Sequence, residues 1–196
     1  MIKSQKKVHN LARAPQQVRI IAGRWRGTKL PVVLQDDVRP TPSRVRETLF
    51  NWLQARIEGS HCLDLFAGSG ALGFEAVSRG AAQATLVDND AKVISLLSGQ
   101  IERLNTQEIN LIRADAVSYL QSCITNFDII FLDPPFSKYD PDEILQQVVS
   151  SQCIKKGGLI YLEASLEKFP KTLPPSWQWQ RQLKAGQVEC GLLVVP

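Results

Sequence analysis

His61-Cys62-Leu63-Asp64-Leu65-Phe66, followed by Ala67-Gly68-Ser69-Gly70-Ala71-Leu72-Gly73, passes from a short apolar run to a glycine-rich turn within a few residues. The run reads as a buried strand and the turn as the opening of a helix. Gly68, Gly70 and Gly73 satisfy G-x-G-x-x-G, and Asp88 follows at about the spacing expected of a ribose-binding acid. Glycines let a ligand approach the backbone at a helix N-terminus, and an acid at the end of the second strand can accept from both ribose hydroxyls. This pattern leaves the nucleotide class open, since a nicotinamide dehydrogenase shows it too. Asp64 is more telling, because a buried carboxylate beside the glycine turn is placed to hold a cation such as a cofactor's amino group.

Downstream, strands and helices alternate. Residues 84–87 form a second strand ending at Asp88-Asn89-Asp90, and the next helix carries Val93, Leu97, Ile101 and Leu104 on one stripe. Residues 110–113 make a third strand. It ends near Asp115, which can meet an adenine amine, cap the helix from Ala116 onward, or do both. The fourth strand, Ile129-Ile130-Phe131-Leu132, runs straight into Asp133-Pro134-Pro135-Phe136. Prolines fix φ and remove backbone donors, leaving carbonyls that only accept. A carboxylate, such a carbonyl and an aromatic face together suit a flat base with an exocyclic amino group, although a proline-terminated strand before a polar loop would read the same. A helix at 141–150, a Lys155-Lys156-Gly157-Gly158 turn with solvated lysines, a fifth strand at 159–163 and a C-terminal hairpin turning near Ala185-Gly186 complete the chain. The alternation predicts right-handed βαβ crossovers and a mostly parallel sheet covered on both faces, with ligands at the C-terminal strand ends.

The N-terminal part has a different character. Residues 1–60 carry a net charge of +8 and residues 61–196 a net of −4, which together make the overall +4. A basic arm for a polyanion, joined to a different kind of body, fits this asymmetry. Residues 18–23 and 28–34 read as a small hairpin with the basic, aromatic tip Arg24-Trp25-Arg26-Gly27; Trp25 either stacks on an unpaired base or pins the hairpin to the main domain. Arg39-Pro40-Thr41-Pro42 is a stiff linker with Thr41 as helix cap. A helix to about Ile57 follows, with Val45, Leu49, Trp52 and Leu53 on one face and Arg46 continuing the hairpin's charge. Residues 1–17 hold Lys3, Lys6, Lys7 and Arg13 without an acid and read as a disordered basic tail, with a transit peptide as the alternative. Cys62, Cys123, Cys153 and Cys190 are too scattered for a zinc site and read as reduced thiols of a cytosolic protein; no metal is expected. No apolar run approaches bilayer length.

Leu63-Asp64-Leu65-Phe66-Ala67-Gly68-Ser69-Gly70, Val87-Asp88-Asn89-Asp90 and Asp133-Pro134-Pro135-Phe136, in this order, resemble the class I S-adenosylmethionine-dependent amino-methyltransferases. Arg19-Ile20-Ile21-Ala22-Gly23-Arg24-Trp25-Arg26-Gly27, Arg39-Pro40-Thr41 and Arg44-Val45-Arg46-Glu47-Thr48-Leu49-Phe50-Asn51-Trp52 resemble one branch, the bacterial 16S ribosomal RNA guanine-N2 methyltransferases. The resemblance implies an α/β, Rossmann-like fold with a seven-stranded sheet, divided into the tail 1–17, the hairpin and linker 18–40 and the methyltransferase domain 41–196. It implies S-adenosylmethionine held by Asp64, Phe66, Ala67, Gly68, Gly70, Asp88, Asn89, Asp115 and Ala116. Asp133, Pro134, Pro135 and Phe136 would hold the target amine. Arg19, Arg24, Trp25, Arg26, Lys29, Arg39, Arg44 and Arg46 would face the RNA. A cytoplasmic monomer acting on 16S ribosomal RNA in the small subunit is the expected form. Adenine N6 or cytosine N4 as the methylated amine, and a non-catalytic RNA-binding adaptor, remain alternatives at this point.

Overall fold

Two short antiparallel strands, β1 (Gln17–Arg19) and β2 (Lys29–Pro31), open the computed structural model, which describes residues 17–33, 42–135 and 137–196. The tail before Gln17, the linker with Arg39 and Thr41, and Phe136 lie outside these residues, and so do the expectations placed on them. Next come α1 (Ser43–Trp52), β3 (His61–Asp64), α2 (Ala71–Ser78), β4 (Gln83–Asp88) and α3 (Ala91–Leu104). They are followed by β5 (Ile109–Arg113), α4 (Ala116–Ser122), β6 (Phe127–Leu132), α5 (Pro141–Ser151), β7 (Ile154–Ser165), β8 (Gln178–Ala185) and β9 (Val188–Val194). Seven strands form one sheet in the order β5-β4-β3-β6-β7-β9-β8. All neighbours pair in parallel except β9, which runs antiparallel to both β7 and β8. This is the expected seven-stranded, mostly parallel sheet with a separate hairpin.

Local chemistry sets the ends of the helices. The Asp90 carboxylate accepts the Lys92 amide at 2.8 Å to start α3, and Asn105 stops it in the left-handed region at φ 45°. Val93 and Leu97 are buried along the expected stripe, with Ile101 and Leu104 packed beside them. Asp140 caps α5 through the Asp142 amide at 2.9 Å, with Pro141 in the first turn. α2 has no stripe at all, because every one of its residues is buried between the sheet and the hairpin. Gly73 explains how closely it lies: a Cβ there would sit 2.4 Å from Leu86 Cδ1 on β4.

The hairpin is fastened to α2 along the whole length of that helix. Val18 and Val32 at the hairpin base cluster with Ala71, the first residue of α2. At the other end, the Arg24 amide donates to the Ser78 carbonyl at 2.9 Å, and Ser78 Oγ donates to the Ala22 carbonyl at 2.6 Å. Gly23 is at φ +79°, and a Cβ on it would fall 1.8 Å from the Ser78 carbonyl oxygen, so only glycine allows this approach. Midway, buried Glu75 accepts the Ile21 amide at 2.7 Å, the Ala22 amide at 3.0 Å and Arg79 Nε at 2.7 Å. The strands are shorter than expected, because residues 20–28 form a folded tip bonded to α2 rather than extended β structure.

Other expectations change in detail. α1 ends at Trp52 and not near Ile57, and Leu53 and Ile57 are buried in the irregular turn that follows. Pro42 is the residue preceding the helix, without a side-chain cap bond. Lys155-Lys156-Gly157-Gly158 is not a turn ahead of a strand but an irregular section inside β7: Phe127 pairs with Ile154 and Ile129 with Leu159, with Gly157 at φ +71°. Lys155 and Lys156 are exposed as expected, and Lys155 ion-pairs with Asp128 at 2.8 Å.

Candidate active site

The chain runs from β3 outward through β4 to β5 and then returns to β6 on the other side of β3, which creates a topological switch point at the centre of the sheet. The carboxyl ends of these four strands bring Asp64, Asp88, Asp115 and Asp133 to one edge of the molecule. Asp64 Oδ2 accepts the Gly73 amide at 3.0 Å, tying β3 to α2. Burial pushes its carboxyl up to about 7; the Gly73 bond opposes this and the Asp88 charge adds to it.

Gly68 and Gly70 are both in the left-handed region, at φ +49° and +72°, but for different reasons. A Cβ at Gly70 would strike the Phe74 ring at 2.7 Å and Leu97 at 2.8 Å, so this glycine serves packing. A Cβ at Gly68 would meet only the Phe66 carbonyl oxygen, at 3.9 Å, so open space stands over the backbone where a ligand would cross it. The turn is held by Asp88, whose Oδ2 accepts the Gly68 amide and whose Oδ1 accepts the Asp90 amide, each at 2.9 Å. The Ala67 amide reaches the Val87 carbonyl at 2.9 Å, and Asn89 is exposed in the adjoining turn.

Asp115 caps α4 by accepting the Val117 and Ser118 amides on Oδ1 at 3.0 and 3.1 Å, with buried Ala116 next to it. Its Oδ2 accepts the Tyr139 hydroxyl at 2.9 Å. Burial would raise the Asp115 carboxyl, but the bonds from Ser118, Tyr139 and Val117 outweigh it and hold the group below its ordinary value. After β6, Pro134 is buried, and the Pro135 carbonyl is taken by the Lys138 and Tyr139 amides at 2.9 and 3.2 Å. Pro135 therefore shapes the loop. On β7, beside Asp133, buried Tyr161 donates to Glu163 at 2.7 Å. Its hydroxyl is driven well up by burial first, then by the charges of Glu163, Cys190 and Asp133.

Among the expected RNA contacts, Arg19, Arg24, Arg26, Lys29 and Arg44 are exposed. Arg24 is already paired with Glu108 at 2.8 Å and lies over the Trp25 ring at 4.4 Å. That ion pair, first, and the Thr106 hydroxyl, second, hold the Glu108 carboxyl down at about 2. Trp25 is half-buried and packs on Phe74 at 6.1 Å between centroids, so it pins the hairpin. Arg46 belongs to the interior, not the surface: it is 2% exposed, donates to the Arg19 carbonyl at 3.0 Å and stands 3.8 Å from Glu75. Helical spacing puts it on the same buried side as Leu49 and Phe50, where its charge meets Glu75. Glu75 and Tyr139 are missed by sequence reasoning. Arg79, four residues after Glu75, is a local signal for that acid; Tyr139 has none beyond its nearness to Pro135.

A polar recess at the opposite strand ends, lined by Arg56, Glu58, His61, Asp128 and Lys155, is not a rival site. Lys155 is paired with Asp128, and Arg56 donates to the Gly157 carbonyl at 2.8 Å.

The sheet order, the glycine turn with open ground at Gly68 and the row of strand-end acids define a class I methyltransferase. A solved putative methyltransferase of Escherichia coli is 41% identical, superposes with a TM-score of 0.83, and the match covers 92% of this chain and 98% of that one. A putative methylase of Haemophilus influenzae follows at 36% identity and a TM-score of 0.75, over 91% of this chain and 98% of that one. The family model described as Conserved hypothetical protein 95 matches residues 18–194. Ribosomal RNA small subunit methyltransferase D of Escherichia coli is 43% identical over 88% of this chain and 87% of its own length. The Haemophilus influenzae protein of the same name is 39% identical over 89% and 92%. The chain belongs to this ribosomal RNA small subunit methyltransferase D family.

Proposed function

We infer that the chain methylates the exocyclic N2 amine of a guanine in 16S ribosomal RNA, with S-adenosylmethionine as methyl donor, as a cytoplasmic monomer acting on the small subunit. The observation that carries this reading is that Asp133-Pro134-Pro135 lie at the sheet's switch point, just past the end of β6, the strand next to the one that leads into the glycine turn. When bound, S-adenosylmethionine supplies a methyl group already activated by its sulfonium, so the protein's task is alignment.

Each residue then has a role of its own. Gly68 leaves room over the backbone, Asp88 faces the ribose hydroxyls, and Asp64 balances the amino group. Asp115 with Ala116 meets the adenine, flanked by Phe66, Ala67 and Asn89; Gly70 keeps the turn closed on Phe74. Asp133 and the Pro134 carbonyl accept the two N–H bonds of the target amine. This turns the nitrogen lone pair out of conjugation with the ring, and the carboxylate stabilises the positive charge that develops on nitrogen. Phe136 stacks on the base once it is extruded from its helix or loop. Arg19, Arg26, Lys29 and Arg44, with Arg24 and Arg39, supply phosphate contacts, and Arg46 acts from below by holding the Arg19 backbone.

The test is mass-spectrometric mapping of methylated bases in small subunits treated with the wild type or with Asp133→Ala. The wild type should methylate a guanine, and the variant should lose turnover while its calorimetric affinity for S-adenosylhomocysteine stays near wild type. A methylated adenine or cytosine would overturn the assigned base, and an active Asp133→Ala would overturn the assigned mechanism.

A further inference from the structure

Tyr139 touches three parts of the candidate site at once. Its amide donates to the Pro135 carbonyl at 3.2 Å, so it closes the turn that follows Asp133-Pro134-Pro135. Its hydroxyl donates to Asp115 Oδ2 at 2.9 Å, across to the end of β5. Its ring meets the Phe66 ring edge-on, with centroids 5.0 Å apart at 60°, at the start of the glycine turn. From these contacts we propose that Tyr139 is a positioning residue that latches the target-amine loop to the adenosine side of the cofactor site, so that filling one site orders the other. The inference rests on the S-adenosylmethionine reading above.

The chemistry suits a latch. Asp115 Oδ1 is already bonded by the Val117 and Ser118 amides, so Tyr139 on Oδ2 fixes the plane of the carboxylate. A ligand amine approaching Asp115 then finds an acceptor already oriented, with the Phe66 and Tyr139 rings as an aromatic wall beside it. Burial, the bond to Asp115 and the charges of Asp115 and Asp88 push the Tyr139 hydroxyl up to about 12, so it stays a neutral donor. Unlike a core tyrosine, Tyr139 is only half-buried, and Ser137 and Lys138 before it are exposed. Its contacts are therefore strong enough to choose a conformation and few enough to open. A ligand that reinforces the Asp115 and Phe66 side must also favour the closed turn at Pro135, and by linkage a base held in that loop must favour the ligand.

The test uses S-adenosylhomocysteine alone, on the full chain, with Tyr139→Phe and Tyr139→Ala. Hydrogen exchange should show that the ligand protects the 137–139 amides in the wild type. In Tyr139→Phe, which keeps the ring, that protection should be lost while the amides around Gly68 stay protected, and affinity should fall about tenfold, as for a hydrogen bond to a charged group. Tyr139→Ala should weaken binding further. If Tyr139→Phe binds like the wild type and keeps its 137–139 protection, or if exchange rises uniformly over the sheet, Tyr139 is an ordinary packing residue and the latch is overturned. A wild type that does not bind the ligand overturns the cofactor reading itself, whereas a binding wild type with an indifferent Tyr139→Phe removes only the latch.

Discussion

Glu75 and Asp115 are built alike and placed differently. Each carboxylate accepts two backbone amides and side-chain donors besides: Ile21, Ala22 and the Arg79 guanidinium for Glu75, and Val117, Ser118 and the Tyr139 and Ser118 hydroxyls for Asp115. Glu75 is fully buried with two guanidinium groups near it, whereas Asp115 is half-exposed and its side-chain partners are neutral hydroxyls. Similar coordination is therefore a weld in the interior at Glu75 and, in the proposed latch, a half-exposed joint at Asp115. The surroundings decide which, because a buried charge cannot be separated from its partners and left dry. The basic hairpin is accordingly tied to the body through a buried charge.

The largest expected effect comes from breaking the weld. Glu75→Gln keeps the shape but leaves the Arg46 and Arg79 charges without an anion, and should lower stability by about 3–5 kcal/mol in urea denaturation. Limited proteolysis should then cut first within residues 17–33. A loss under about 1 kcal/mol would mean that apolar contacts hold the hairpin and that the two carboxylates do not differ as described.

Asp64 gives an intermediate effect. Its folded-state value of about 7 lies above its unfolded value, so ionisation works against the fold. Stability should fall as pH rises from about 4 and level off once ionisation is complete, near the folded value. An ammonium group beside it favours the ionised form, so affinity for S-adenosylhomocysteine should rise with pH toward about 7 and then flatten. Asp64→Asn should remove both slopes; parallel profiles for the wild type and the variant would exclude Asp64 as the titrating group.

The smallest effect tests the surface of the hairpin. Each phosphate contact on a single strand steepens the slope of log affinity against log salt by roughly 0.7. Arg26→Ala should shallow the slope by about that amount, and Arg24→Ala by less, since Glu108 already neutralises part of its charge. Equal slopes in the wild type and both variants would move the RNA face away from the tip.

What sequence could say divides along physical lines. The strand-end acids, the glycine turn and the α3 stripe were legible because each is a local pattern tied to a period or a turn. The burial of Arg46 was not, because a basic residue on a helix reads as solvated until a partner is known, and that partner, Glu75, lies on another helix. Sequence leaves Trp25 between a base-stacking and a pinning role, and its packing on Phe74 and the core decides for pinning. Lys155 to Gly158 carried a true turn signal, but the bend it makes lies inside β7. Tyr139 stood three residues from Phe136 without a pattern to mark it, since its partners come from two other loops.

The strand order has a consequence for synthesis. β8 has one neighbour, β9, which is made after it and slots between β8 and β7. As a growing chain emerges, β3 to β7 can assemble, but β8 has no partner in the sheet until β9 is free. This flank of the sheet therefore closes after the centre, its inner strand synthesised later than its outer one.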